Sequence, residues 1–315
     1  MNWITDISPL LRMGVLVLVV LVVASLAVGV LQRARPGKNF AELSARVRAW
    51  WIMAAVFFAA ILVSNRVSLV FFALMSFWAM KEYVTLLKTR PADHRALVLT
   101  FLAVPIQYVW IGLDPPWYGM FIIFIPVYML LVLPVRMVLA KETKGFVESA
   151  SQIHWGMMIF VFGLSHMAYL LTIPAIADTS ANGRTLVLFL VFVVEMSDVL
   201  QYIWGKTLGS HKIIPAVSPN KTWEGFIGGI ASAMLLSLAI RFLTPFSIRE
   251  TLLVSLLITV AGFCGGAVMS AVKRDFGVKD FGSVIPGHGG MLDRVDSLCY
   301  AAPIFFHYVR YFYTK

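Results

Sequence analysis

Charge is scarce in this chain. Asp, Glu, Lys and Arg make up 13% of its 315 residues, while 60% are hydrophobic and the mean hydropathy is +0.84. A soluble domain carries about a quarter charged residues, so the composition excludes a soluble globular protein. Cysteine is nearly absent. Cys264 and Cys299 are the only two, both lie in apolar runs, and no CxxC or Cys/His spacing occurs. This excludes a disulfide framework or a structural zinc site and makes both thiols small core hydrophobes. The leader MNWITDISPLLR lacks a basic n-region; Arg33, Arg35 and Lys38 instead follow the first apolar run, Gly14 to Leu31. That flank order predicts an anchor kept in the membrane with its N-terminus outside, not a cleaved secretion signal. Also missing are an arginine-rich tail, an aromatic-interleaved basic patch and any polar stretch long enough for a soluble domain. The formal charge of +10 therefore reads as basic loops facing anionic headgroups, with no nucleic acid as partner.

What is abundant is apolar sequence in runs. A membrane helix needs ~20 mostly apolar residues. Ten candidates appear, over 13–31, 50–63, 67–80, 97–113, 118–135, 154–172, 185–204, 225–243, 251–269 and 296–312. The second and third are short and share the turn at Asn65 and Arg66, so they are expected to cross only with help from their flanks. Threading from an outside N-terminus puts 19 of the 26 Lys and Arg residues in cytoplasmic loops, as the positive-inside rule requires. The expected fold is an all-α, polytopic membrane bundle of about ten helices. Residues 1–184 form its N-terminal helices, and 185–315 hold the chemistry. Pro105, Pro126, Pro134, Pro174 and Pro303 are assigned kinks. Gly225, Gly228, Gly229, Gly262, Gly265 and Gly266 are assigned close helix contacts.

The candidate chemistry gathers in three places. In the seventh run Glu195, Asp198 and Tyr202 share a helix face, and carboxylates in a span are functional candidates by default. The next loop reads GKTLGSHKIIPAVSPNKTWEG. Its Ser218-Pro219-Asn220-Lys221-Thr222 is expected to turn, with Thr222 capping the eighth helix and Glu224 near its positive end. Lys221 sits at the wrong helix end for the dipole and suits a phosphate at a helix N-terminus. The third place is SAVKRDFGVKDFGSVIPGHGGMLDRVDS, residues 270–297. Lys273, Arg274, Lys279 and Arg294 are candidate phosphate contacts. Asp280, Asp293 and Asp296 are hard oxygen donors suited to Mg²⁺, with Asp198 in support. Capping of the tenth helix would account for one of Asp293 and Asp296, but less well for both beside Arg294. Gly287, Gly289 and Gly290 flank His288 and would let backbone N–H groups curl round an anion; Pro286-Gly287 could equally be a plain turn. His154 and His166 read as satisfied polar groups in the bundle. Lys81, Glu82, Arg136, Lys141 and Glu142 read as interfacial charges that snorkel. Trp50, Trp51, Trp117 and Tyr118 read as interface belts.

The run from Ser270 through Lys273-Arg274, Lys279-Asp280, Pro286-Gly287-His288-Gly289-Gly290 and Asp293-Arg294 to Asp296 resembles the signature of phosphatidate cytidylyltransferases, the CDP-diacylglycerol synthases. Ser218-Pro219, Lys221-Thr222 and Glu224-Gly225 match a second family motif, and Asp198, Tyr202, Gly205, Lys206 and Gly209 resemble the segment before it. Ser197 stands where the family usually has Asn, and Val199-Leu200-Gln201 is bulkier than usual. These departures bear on the pocket and lipid preference more than on the reaction.

The resemblance implies Mg²⁺-dependent transfer of CMP from CTP to phosphatidic acid or a related lipid phosphate, giving CDP-diacylglycerol and pyrophosphate. It admits a second cation and implies a homodimer in a bacterial inner membrane. The implied catalytic set is Asp293, Asp280, Lys273, Arg274 and His288. Lys221, Ser218, Thr222, Lys279, Gly289, Gly290, Arg294 and Tyr202 would bind substrate. Asp293, Asp296, Asp280 and Asp198 would hold metal. A CTP-dependent polyprenol or phytol kinase is the nearest alternative; a transporter, which would spread acids along several spans, is a more distant one.

Overall fold

The computed structural model describes residues 8–35, 37, 40–285 and 289–314. Among them are ten long helices: α1 (Pro9–Ala34), α2 (Ala41–Val63), α3 (Asn65–Leu86), α4 (Pro91–Gly112), α5 (Tyr118–Val138), α6 (Phe146–Leu170), α7 (Gly183–Thr207), α8 (Trp223–Ala239), α9 (Ile248–Asp275) and α10 (Leu292–Tyr313). Eight are long and apolar enough to cross a membrane; α8 is a shorter apolar helix, and α10 carries more charge in its first turns. The protein is a multi-pass, all-α membrane protein with one small β-hairpin. It joins β1 (Lys212–Ile214) to β2 (Ser218–Thr222) between α7 and α8.

Local sequence accounts for the helix starts. Ser8, Ser64, Asn182, Thr222 and Ser247 each accept a backbone N–H of the first turn that follows, satisfying donors that otherwise lack partners. Ser64 explains the tight α2–α3 connection. Both helices are longer than the runs at 50–63 and 67–80. Arg46 pairs with Glu42 at 2.6 Å one turn back, so charge at the start of α2 continues the helix instead of ending it. The flanks thus supply the length each crossing needs, as the short runs require. Pro105, Pro134 and Pro303 do lie inside helices. Pro126 lies in a π-helical segment of α5, and Pro174 falls beyond the end of α6. Ser218–Thr222 is not the expected turn. These residues form β2, and the chain reverses at Ile214–Val217, where the Val217 N–H donates to the Ile214 carbonyl.

Lipid tails are as apolar as leucine, so helices in a bilayer associate through close packing and interhelical hydrogen bonds. Gly229 of α8 lies where a Cβ would fall 2.6 Å from the Gln201 nitrogen of α7, and Gly265 of α9 lies where one would fall 2.7 Å from the Asp296 carbonyl of α10. Ser76 and Tyr108 bond at 2.7 Å between α3 and α4. Trp204 donates to Ser232 at 3.0 Å between α7 and α8, and Trp51 donates to Ser25 at 3.1 Å between α1 and α2. The helices α7 to α10 pack on one another, α10 also packs on α3 and α6, and Phe72, Phe121, Phe160, Phe305 and Phe306 fill the core. The two thiols differ: Cys299 is in the core, whereas Cys264 is exposed and not a core hydrophobe.

Candidate active site

Three chain segments meet at one end of α7 to α10. The last half of α7 carries Asp198, β2 carries Lys221, and the first two turns of α10 carry Asp293, Arg294, Asp296 and Ser297. The Ser297 hydroxyl donates to Asp198 Oδ2 at 2.8 Å, and the Ser297 N–H donates to Asp296 Oδ1 at 2.7 Å. One residue thus brackets two carboxylates from different helices. Gly266 of α9 leaves the space beside them: a Cβ there would fall 3.3 Å from Lys221 Nζ, 3.5 Å from Ser297 Oγ and 4.0 Å from Asp296 Oδ2.

The cations here are unneutralised by direct pairing. Lys221 Nζ sits 4.2 Å from the centre of the Phe263 ring and makes no hydrogen bond or ion pair among the described residues. Burial pushes its ammonium down from the usual lysine value, and Asp198 and Asp296 push it partly back. Arg294 Nε is buried with no partner among the described residues. Glu195, half-buried one turn before Asp198, interacts electrostatically with Asp198, Arg294 and Asp296. Half-buried cations that lack a direct partner among the described residues, set beside carboxylates, form an arrangement with bonds left to make.

Asp293 lies in a second, adjoining cluster. Its residue is 6% exposed; Oδ1 accepts Lys273 Nζ at 2.9 Å, and Oδ2 accepts the N–H groups of Phe281 and Gly290 at 2.8 and 3.0 Å. Gly289, with φ +79°, brings backbone against Asp293 and against the Cβ of Asp280. The N–H of Gly290 therefore curls round an anion, but that anion is the protein's own carboxylate. Lys273 also acts electrostatically on Asp296 and Lys221, which joins the two clusters.

The rim is built differently. Lys279, Asp280 and Arg274 are exposed, and Arg274 Nε donates to the Val217 carbonyl at 3.3 Å, holding the hairpin over α9. Ser218 pairs with Ile214 in the hairpin, and Thr222 Oγ1 caps α8 by accepting the Gly225 N–H at 3.2 Å. Glu224 accepts the Ser210 and His211 N–H groups and the His211 ring, so it fastens the incoming loop in addition to its place near the dipole. Tyr202 points away from the carboxylates: it is 57% exposed and accepts from Lys206 Nζ at 3.2 Å. Ser197 is buried and accepts from Gln201 at 2.8 Å within α7, so the departure from the family pattern is absorbed inside the helix. Pro286, Gly287 and His288 lie outside the described residues.

Two residues carry more than their sequence positions signalled. Ser297 closes the sequence block of charged residues yet supplies the link between its carboxylates. Glu82 is not an interfacial snorkelling charge. It is buried and accepts the N–H groups of Met291 and Leu292 at 2.9 and 2.8 Å. The inward stripe Ser68, Phe72, Ser76, Ala79 and Tyr83 on α3 is the periodic signal that points Glu82 inward.

The cytidylyltransferase family profile matches residues 44–312 of the chain. The chain belongs to this family. Phosphatidate cytidylyltransferase of Staphylococcus haemolyticus is 31% identical to it over 260 residues, covering 80% of this chain and 94% of the relative. Phosphatidate cytidylyltransferase of Staphylococcus aureus strain COL is 36% identical over 169 residues, 53% of this chain and 61% of the relative. The uncharacterized protein YnbB of Escherichia coli K12 is 43% identical over 277 residues, 88% and 90% of the two chains. This cytidylyltransferase is thus a membrane nucleotidyltransferase.

A divalent cation is implied by the family, and the donor set fits one kind of site. Among the described residues no three His, Cys, Asp or Glu side chains converge into a cage. Asp198 and Asp296, bracketed by Ser297, supply two carboxylates beside unpaired cations. Mg²⁺ is ordinarily held by one or two carboxylates plus substrate phosphate oxygens. The cytidylyltransferase residues suit a cation that arrives with a nucleotide, not one held by protein alone.

Proposed function

We propose that this enzyme transfers CMP from CTP to phosphatidic acid, forming CDP-diacylglycerol and pyrophosphate. The observation that carries the reading is the Asp198–Ser297–Asp296 unit set beside Lys221 and Arg294, neither of which has an ion pair among the described residues. A pair of carboxylates without cations would suit a cation pathway, and cations without carboxylates would suit simple anion binding. Both together suit a metal-bound polyphosphate.

A lipid phosphate oxygen attacks the α-phosphorus of CTP. The new P–O bond forms as the bond from the α-phosphorus to the bridging oxygen breaks, and its electron pair leaves with pyrophosphate. The nucleophile is already anionic, so no general base is required. The barrier is repulsion between two polyanions. Lys221 and Arg294 offset charge on the triphosphate and leaving group, while Asp198 and Asp296, with Asp280 and Asp293 as further candidates, would hold Mg²⁺. That ion, when bound, would neutralise phosphate oxygens and orient the α-phosphorus. Lys273 and Asp293 fix the loop that carries Lys279 and Asp280. The distribution of basic residues supports a cytoplasmic active site in the bacterial inner membrane, where cytosolic CTP meets lipid.

The test is incubation of the purified chain with Mg²⁺, phosphatidic acid and CTP labelled at either the α- or the γ-phosphorus. The expected result is α-label in the lipid and release of pyrophosphate. Lipid carrying γ-label would replace this reading with a lipid kinase.

A further inference from the structure

We infer that Glu82, far from the signature in sequence, is the positioning residue that sets the start of α10 and the signature loop for transfer; the inference rests on the proposed reaction. Glu82 lies in the last two turns of α3 beside its inward stripe and is 6% exposed. Its oxygens work separately: Oε1 accepts the Met291 N–H at 2.9 Å and Oε2 the Leu292 N–H at 2.8 Å. These donors begin α10, whose own N-terminal residue provides no side-chain cap. A helix start leaves such N–H groups without backbone partners, and a carboxylate is the favoured acceptor there.

Both limbs of the signature loop close on the same carboxylate. A Cβ on Gly282 would fall 2.7 Å from Oε1, and one on Gly290 would fall 2.3 Å from Oε2. Asp293 takes the neighbouring donors, Phe281 and Gly290. Two carboxylates from opposite ends of the chain therefore share the N–H groups at residues 281, 290, 291 and 292. Asp293 follows the Glu82-bound residues directly, and Asp296 and Ser297 lie within the next turn. Removing the charge of Glu82 leaves two buried donors poorly matched, shifts the start of α10 and loosens the Ser297–Asp198 link. Glu82 touches neither Asp198 nor Lys221, so it acts through α10.

The test uses the full chain in lipid nanodiscs with CTP, Mg²⁺ and phosphatidic acid. Glu82→Gln keeps volume and loses charge; Glu82→Asp keeps charge and withdraws it by one methylene. Loss of a charge-assisted hydrogen bond predicts a fall in kcat of about 10- to 100-fold in Glu82→Gln. The KM for lipid stays within about two-fold, and Glu82→Asp retains the larger share of kcat. A residue that only fills space predicts the reverse order. Amide hydrogen exchange at Met291 and Leu292 is expected to be slow in the wild type and faster in Glu82→Gln. That readout needs no turnover, so an inactive wild-type chain would count against the proposed reaction while exchange still decides on Glu82. If Glu82→Gln does not fold, Gly290→Ala, whose Cβ collides with Oε2, is expected to reproduce the loss. Wild-type kcat in Glu82→Gln or Gly290→Ala, Gln outperforming Asp, or unchanged exchange in Glu82→Gln would each overturn the inference.

Discussion

Ser297 on α10 donates its hydroxyl to Asp198 on α7 at 2.8 Å, pinning two carboxylate-bearing helices at one point. Ser297→Ala leaves Asp198 without that donor while removing only one oxygen. The expected result is a kcat about ten-fold lower, the loss of one hydrogen bond to a charged group, with a raised Mg²⁺ requirement and unchanged membrane insertion. Steady-state kinetics across a Mg²⁺ titration check it.

Asp198→Asn and Asp296→Asn should each lower kcat by at least about 100-fold, the scale of removing one electrostatic group from a reacting centre. Because the two carboxylates act as a unit, the double variant should be little worse than either single one. A fully additive loss would separate them into independent sites.

Lys221→Met separates function from stability. Half-buried Lys221 holds its ammonium against Phe263 without an ion pair among the described residues, and partial burial pushes its proton affinity down. Burying an unpaired charge opposes folding. The variant should lose transfer activity by about 100-fold yet melt at or above the wild-type temperature. A lowered melting temperature would show that Lys221 stabilises the fold.

The Lys273–Asp293 pair behaves in the opposite way, since both partners are mostly buried and bonded at 2.9 Å. Lys273→Met removes the counter-charge of a buried carboxylate, which keeps two N–H donors, and should destabilise by about 3 kcal/mol, read as an earlier thermal transition. Asp293→Asn keeps shape but turns an amide donor towards Lys273 or towards two N–H groups. Transfer should be abolished in a chain that still inserts, and near-normal turnover would remove Asp293 from the site.

Chelation should stop turnover and leave the fold intact. No three protein ligands form a cage among the described residues, so the cation contributes little to folding free energy without nucleotide. EDTA is expected to abolish transfer, with recovery on adding Mg²⁺ and no change in melting temperature.

The ten helices were legible from their apolar runs, eight of them long and apolar enough to cross a membrane. The ends of α2 and α3 were not, because Glu42, Arg46, Lys81 and Glu82 look like loop charges until their partners are known. Thr222 was legible as a cap from its type and place, and Asp198 and Asp296 as acids where acids are costly. Their shared dependence on Ser297 was not, since it needs the relative rotation of α7 and α10. Glu82 shows the limit most clearly: beside exposed Lys81, only the depth of the α3 stripe distinguishes it from a surface charge.

The Glu82–Met291 hydrogen bond also orders events during biosynthesis. Its partners lie 209 residues apart, which a ribosome covers in about 10 to 40 s. Throughout that interval the α3 carboxylate has emerged while its amide partners have not. Catalytic competence thus waits on α10: a nascent polypeptide released before α10 is made would sit in lipid without Asp293, Asp296 and Ser297 and be chemically silent.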